Sequence, residues 1–111
     1  MIDTKFLLLA VKSKHCAPSD YRLAKLLEVA KTTIYKYNNR FDKPNDITLS
    51  RISELLSVPS HVLYAAIHFE RARDPATKLV WAEAYRIMGG PDIEKRLIEE
   101  CFSGNEEELT A

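Results

Sequence analysis

The sequence predicts an all-helical protein built around one hydrophobic core. Apolar residues recur every three or four positions along most of the chain, and no stretch shows the two-residue alternation of a strand. Helix-start signals, such as a capping side chain or a proline, precede several of these apolar stretches. A chain of 111 residues is also long enough to bury a core without disulfides or metal. We therefore expect a compact bundle of short helices.

Three helices are predicted in the first forty residues. The first is expected at about residues 4–14, with Thr4 as its N-cap. Its middle is continuously apolar, so we expect it to contact more than one neighbouring helix. Ser19 is expected to cap the second helix. A short turn then leads to a third helix that ends near Arg40. These elements make up the basic part of the chain.

Two more helices are predicted after a proline-containing loop. The residues from Asn45 to Thr48 offer a set of caps for the fourth. If Thr48 is the cap, Ile47 and Ile52 form a hydrophobic staple across the first turn. The fifth is expected at about residues 60–73 and has a broad apolar face. Residues 1–73 are thus predicted to form the first domain, a five-helix bundle.

Residues 74–102 are predicted to add one or two helices. Asp74 and the proline after it signal the start of the sixth helix, and a pair of glycines ends it. Aromatic residues and methionine are enriched at interfaces, so we expect this extension to be a candidate dimerisation element. The remaining residues, 103–111, are predicted to form an acidic tail. The predicted interface residues are Leu79, Trp81, Tyr85, Met88, Ile93, Leu97 and Phe102.

The formal net charge of zero hides an asymmetry between the two halves of the chain. Residues 1–45 hold nine Lys or Arg against four acidic residues, and the rest holds seven against twelve. Attraction to phosphate depends on the face that a protein presents, so a neutral total does not exclude nucleic acid. The basic half is the expected binding side.

The stretch from Asp20 to Arg40 carries the candidate functional surface. At roughly 100° per residue, the polar side chains of its second helix project away from the apolar ones. Hydroxyl, amide and amine groups on one exposed helix face suit the edges of DNA bases. The predicted inner seam consists of Leu23, Ala24, Leu27, Val29, Ile34 and Tyr37. The predicted outer face consists of Thr32, Tyr35, Lys36 and Asn39, with Arg40 beside them.

This spacing resembles the helix-turn-helix of the lambda repressor and Cro family. The six seam residues match the family pattern of a small residue in the first helix, a turn, and hydrophobic anchors in the second. The chain departs from that pattern at Glu28, where glycine is usual, and at Ala30, where serine is common. Either Glu28 adopts a positive φ or the turn differs slightly.

The resemblance implies a five-helix lambda-repressor-like bundle with one or two additional C-terminal helices. It implies a transcriptional regulator of phage or prophage origin, a repressor or Cro-like protein. Such a protein binds a double-stranded DNA operator as a homodimer, with recognition helices about 34 Å apart. The expected contacts on the recognition helix are Lys31, Thr32, Thr33, Tyr35, Lys36 and Asn39. The expected phosphate contacts are Arg22, Lys25, Arg40 and Lys43.

Other classes of function find little support in the sequence. We see no acid/base pair, phosphate-binding glycine loop or nucleophile motif, and therefore expect no enzyme, cofactor or metal site. Cys16 and Cys101 belong to no CxxC motif, which suits a reducing compartment. The apolar run at 6–11 is too short for a membrane span, so we expect a cytoplasmic protein. The resemblance to phage regulators implies that the cell is bacterial. The alternative is an accessory phage protein whose acidic C-terminal helices bind a host or phage protein.

Overall fold

The computed structural model describes the backbone of residues 1–110 and the side chains of residues 1–102. Over this range the chain is all-helical, as the sequence predicts. None of the described helices is long and apolar enough to cross a membrane. The predicted acidic tail, 103–111, lies outside the residues whose side chains are described. The helices are α1 (Thr4–Lys14), α2 (Asp20–Leu27), α3 (Lys31–Asn38), α4 (Asp46–Leu56), α5 (Ser60–Arg71), α6 (Pro75–Ile87) and α7 (Gly90–Thr110).

Helix α1 lies at the centre of the fold. It packs against α2, α3, α4 and α7, which explains why its apolar residues are not confined to one narrow stripe. Leu7 and Val11 are fully buried, and Leu8 is nearly so. The expectation that α1 contacts more than one neighbour is confirmed.

The predicted cap of α1 is wrong by one residue. Asp3 is the N-cap, and its Oδ1 accepts a hydrogen bond from the Phe6 N–H at 2.8 Å. Thr4 is buried instead, and its backbone N–H and Oγ1 donate to Glu70 Oε1 at 3.1 and 2.6 Å. The side chain of Thr4 thus ties the start of α1 to the end of α5, which a sequence pattern alone does not reveal.

Of the caps that the sequence offers for α4, Asn45 is the one used. Its side chain accepts a hydrogen bond from the Thr48 N–H at 2.9 Å, so the helix begins at Asp46. Ile47 is 82% exposed and therefore does not form the predicted staple with Ile52. The caps of α2 and α6 agree with prediction, since Ser19 and Asp74 each accept from a backbone N–H three residues later.

Each of the helices α1 to α4 is followed by a non-glycine residue in the left-handed region. In each case the next N–H donates to the carbonyl five residues back, the arrangement of a Schellman motif. A left-handed backbone costs a residue with a Cβ about 1–2 kcal/mol. Glu28 adopts a positive φ, so of the two alternatives for the turn between α2 and α3, strain at Glu28 or a different turn, the first occurs. The four residues are Cys16 (φ 50), Glu28 (φ 59), Arg40 (φ 61) and Ser57 (φ 56).

Residues 74–102 complete the core, and most of the predicted interface residues point into it. Tyr85 is 3% exposed and Leu97 is fully buried, so neither is available to a partner. Trp81 stacks on His68, with ring centroids 4.5 Å apart. Phe102 packs edge-on against Phe6 of α1, and Ile93 packs partly buried against the core. Only Leu79 and Met88 of the predicted set are exposed.

The junction between α6 and α7 depends on two glycines with different roles. Gly89 has φ 83, a backbone conformation that glycine adopts without strain. Gly90 is buried and begins α7, so the sequence interpretation that both glycines end the sixth helix is wrong for Gly90. A Cβ on Gly90 would lie 2.5 Å from three atoms of the Tyr85 ring. Gly90 is therefore required by the close approach of this ring.

Tyr85 is expected to make the free energy of unfolding fall as the pH rises through the alkaline range. Burial raises the pKa of Tyr85 to about 12, and although the Ile2 N–H lowers this pKa, Glu94 raises it. Because the folded pKa lies above the ordinary value of 10.0, the contribution to stability is complete below pH 10 and is lost as pH rises through 12. We expect the free energy of unfolding to fall by about 2–3 kcal/mol across this window, measured by urea denaturation at each pH.

The variant Tyr85→Phe is the control for this dependence. It should remove most of the fall between pH 10 and pH 12, because phenylalanine has no proton to lose. A smaller fall should persist, since burial also raises the pKa of Tyr37. An unchanged pH profile in Tyr85→Phe would contradict the assignment to Tyr85.

Candidate nucleic-acid interface

Helix α3 is fixed to the core by two residues. Ile34 is fully buried and Tyr37 is 3% exposed, and the helix packs against α2 and α1. On α2, Leu23, Ala24 and Leu27 form the other side of this contact, as predicted for the inner seam. The small side chain of Ala24 permits close approach of the two helices. The seam therefore determines which side of α3 faces solvent.

The outward side of α3 is polar and basic. Lys31, Thr32, Tyr35 and Lys36 are exposed, whereas Thr33 is half-buried and less accessible than predicted. The stretch 29–41 contains no acidic residue. Among the described residues, no carboxylate lies within ion-pair distance of Lys31 or Lys36. The face thus presents two amines and two hydroxyls without a neutralising acid.

Asn39 follows α3 as its C-cap and is not part of the helix, although the sequence interpretation extended the helix past it. Its Nδ2 donates to the Tyr35 carbonyl at 2.9 Å. A bidentate contact with adenine uses one amide N–H and the amide oxygen. Nδ2 has a second hydrogen and Oδ1 can still accept. The bond to Tyr35 therefore orients the amide and leaves that contact chemically available.

Arg40 departs from the helical spiral because of its positive φ. Arg40 lines a cleft of about 460 Å³ together with Lys43. Lys78 and two acidic residues, Asp3 and Glu70, line the same cleft. Two of the predicted phosphate contacts are thus brought together at the C-terminal end of α3.

The other two predicted phosphate contacts lie on α2. Arg22 and Lys25 are exposed and line a separate pocket of about 300 Å³, to which α4 contributes Arg51. The Lys25 amine lies 4.5 Å from the centre of the Tyr21 ring. The Nε of Arg51 donates to the Leu26 carbonyl at 2.9 Å and so links α4 to the end of α2. The basic side chains therefore form two groups, one on α2 and one after α3.

An exposed aromatic pair accompanies the face of α3. The rings of Tyr35 and Phe41 lie 6.4 Å apart and are 60% and 73% exposed. The sequence interpretation missed Phe41, although an aromatic residue directly after a basic, acid-free helix was a usable signal. Aromatic rings at this position can contact sugars or thymine methyl groups. Phe41 therefore joins the candidate surface.

No protein-family model, curated protein or solved structure matches this chain. Its function is therefore inferred from the geometry of its own residues. That geometry combines a firmly anchored short helix, an outward face of neutral and cationic donors, and two groups of cations, one on α2 and one after α3. Such a surface is suited to a polyanion that also offers hydrogen-bond acceptors.

Proposed function

We propose that the chain is a sequence-specific duplex DNA-binding protein that regulates transcription. In this proposal α2 and α3 form a helix-turn-helix of the lambda repressor and Cro type, with α3 as the recognition helix. The phage or prophage origin implied by the resemblance belongs to the same proposal. The observation that carries it is the contrast between the two sides of α3. One side is buried through Ile34 and Tyr37, and the other is polar, basic and free of acid.

The proposed contacts follow from the chemistry of each side chain. Lys36 suits guanine O6 and N7, Asn39 suits adenine, and Thr32 suits a thymine methyl group or a phosphate. The two groups of cations, Arg22 with Lys25 and Arg40 with Lys43, suit phosphates along the backbone. Phosphate contacts orient the recognition helix, whereas the contacts from α3 discriminate between bases.

Binding should weaken steeply as salt rises. Four phosphate contacts per subunit predict a slope of about −3 to −4 for the logarithm of affinity against the logarithm of salt concentration. The affinity of one subunit should then fall about 100-fold between about 50 and 200 mM salt. A gel-shift series with the DNA that flanks the gene of this protein measures this slope. Binding that does not depend on salt would contradict the proposal.

The alternative function is a phage accessory protein that binds another protein through its C-terminal helices. An interface that uses the apolar residues of these helices does not lose affinity as salt rises, whereas an interface that uses their acidic residues does. In the second case the identity of the ligand, a protein and not duplex DNA, separates the two functions. A partner that binds equally well at low and high salt, in the absence of any salt-sensitive DNA complex, would favour this alternative.

A further inference from the structure

The pocket between the end of α1, α2 and α4 is lined mainly by cations. Its volume is about 300 Å³, at the lower end of the ~300–1,000 Å³ that ligand pockets span. The turn after α1 contributes His15 and Cys16, α2 contributes Arg22 and Lys25, and α4 contributes Arg51. The other described lining residues are apolar, and none of them is acidic. Three separate elements of the fold thus bring cationic side chains to one cavity.

The protein itself neutralises these charges only in part. Among the described residues, no carboxylate lies within ion-pair distance of Arg22 or Lys25. The Tyr21 ring beside the Lys25 amine carries no charge. Arg51 has one acidic neighbour, since its Nη1 lies 3.5 Å from Oε2 of Glu54, whose side chain is 73% exposed and does not line the pocket. Two of the three positive charges therefore lack a carboxylate.

A pocket lined by one sign of charge attracts ions of the other sign. Repulsion among like charges opposes the compact state, and a bound counter-ion relieves this repulsion. The low-dielectric walls of a pocket also focus the field and raise the local concentration of anions. The pocket therefore suits an anion, and its two unpaired positive charges suit a dianion better than a monoanion.

Two side chains of the pocket are held in place by backbone carbonyls. Arg51 is half-buried, and its Nε donates to the Leu26 carbonyl at 2.9 Å, which orients the planar guanidinium. The His15 Nε2 lies 2.7 Å from the Leu55 carbonyl oxygen. A carbonyl oxygen only accepts, so Nε2 carries a hydrogen and Nδ1 is the ring nitrogen left for a ligand. Side chains that are already oriented lose little conformational entropy when a ligand binds.

We propose that this pocket binds the phosphate group of a small phosphomonoester, and that the bound molecule displaces DNA. A phosphomonoester carries a charge of about −1.5 to −2 at pH 7, whereas each phosphodiester of DNA carries about −1. The monoester therefore matches the two unpaired charges better than the DNA backbone does. The guanidinium of Arg51 offers a fork of N–H donors to phosphate oxygens, and the apolar part of the lining leaves room for an organic group.

Displacement follows from shared cations. Arg22 and Lys25 line the pocket, and they are also two of the phosphate contacts proposed for DNA. A dianion bound between them leaves less positive charge for the DNA backbone. The displacement of DNA rests on the proposed function, whereas the binding of the phosphomonoester does not.

The rate of alkylation of Cys16 measures occupancy of the pocket. Cys16 is exposed and lines the pocket, whereas the other cysteine of the chain, Cys101, is buried. At fixed pH and ionic strength and without DNA, glycerol 3-phosphate should slow the reaction of Cys16 with iodoacetamide to a plateau, measured by mass spectrometry. We expect half-maximal protection at about 1 mM or below.

Two related molecules are the matched probes. Glycerol lacks the phosphate group and should give no protection. Dimethyl phosphate is a diester with a single charge, like the DNA backbone, and should need a concentration about tenfold higher or more. Inorganic phosphate should protect Cys16, because it carries the same dianionic group.

Variants of the cations test their part in binding. Arg51→Gln and Lys25→Gln should each weaken protection by glycerol 3-phosphate about tenfold or more, since each removes a charge-assisted hydrogen bond. Lys25 is exposed, so Lys25→Gln should fold even if Arg51→Gln is destabilised by loss of its bond to Leu26. The matched control Lys95→Gln removes an exposed positive charge from α7, outside the pocket, and should leave protection unchanged.

Three results would each overturn the proposal. They are the absence of saturable protection by glycerol 3-phosphate, equal protection by dimethyl phosphate, and equal weakening by Lys95→Gln and Lys25→Gln. Protection of Cys16 by a DNA duplex alone would overturn it as well, because the pocket would then hold only backbone phosphate.

A gel-shift competition separates this proposal from the proposed function. At constant ionic strength, glycerol 3-phosphate should release DNA from the native chain and much less from Arg51→Gln, since Arg51 is not among the proposed DNA contacts. DNA that stays bound at saturating glycerol 3-phosphate would overturn the displacement. A chain that binds no DNA, with protection of Cys16 intact, would refute the proposed function and support the phosphomonoester site.

Discussion

The double change Lys36→Ala/Asn39→Ala is expected to abolish sequence-specific DNA binding while the fold survives. Each bidentate base contact contributes about 1–3 kcal/mol of discrimination, so the loss per subunit from two contacts should be roughly 30-fold to 25,000-fold. Both side chains are exposed, and the two anchors of α3 are untouched. Asn39 caps α3 through its bond to Tyr35, so the free energy of unfolding should fall by no more than about 1 kcal/mol.

Footprinting on the operator measures the specific affinity, and gel shifts with unrelated DNA measure the non-specific affinity. Specific affinity should approach non-specific affinity, because the four cations proposed to contact phosphate remain. The matched control is Arg22→Ala/Lys25→Ala. It should weaken binding to all sequences alike and reduce the salt slope by about 2 per subunit. If Lys36→Ala/Asn39→Ala binds its operator as the native chain does, α3 does not read the bases.

Gly90→Ala is expected to destabilise the protein, although it adds only one methyl group. The added methyl would lie 2.5 Å from the ring of Tyr85. This residue is 3% exposed, and its hydroxyl oxygen accepts from the Ile2 N–H. Overpacking of this kind costs about 1–3 kcal/mol. The midpoint of thermal unfolding should therefore fall by about 5–20 °C, measured by circular dichroism.

A second variant distinguishes a clash with the Tyr85 ring from a general intolerance of alanine at position 90. In a Tyr85→Val background the ring is absent, so Gly90→Ala should cost nothing or stabilise the helix slightly through its better helix propensity. The two changes should thus be strongly non-additive. Gly89→Ala provides a further comparison, since nothing lies within 4 Å of the added Cβ and only the φ of 83 opposes it. Equal losses for Gly90→Ala in both backgrounds would contradict the proposed clash.

Local sequence patterns predicted much of the architecture. Ser19 and Asp74 lie where a capping side chain satisfies a free N–H, and this depends on the neighbouring three residues alone. The seam of α2 and α3 followed from helical periodicity, because burial of one side of each helix repeats at 3.6 residues. The exposure of Lys31, Thr32, Tyr35 and Lys36 followed from the same periodicity.

Errors arose where a residue had two acceptable local roles and either a distant contact or the conformation of the adjoining turn decided between them. Thr4 could cap α1 by sequence, but Glu70 at the end of α5 binds it instead. Arg40 could continue α3, but the Schellman motif turns the chain away. Thr48 could cap α4, but its side chain is buried and Asn45 takes that role.

By itself, the sequence determined the helical class, the asymmetry of charge and the outward chemistry of α3, because these depend on composition and on the period of the helix. Only the tertiary structure decided which side of α6 is exposed, since both of its sides carry large apolar residues. Burial of Trp81 and Tyr85 against α5 and α7 leaves Leu79, Val80 and Ile87 in solvent. The choice between two apolar sides depends on the shape of the neighbouring helices, which local periodicity does not contain.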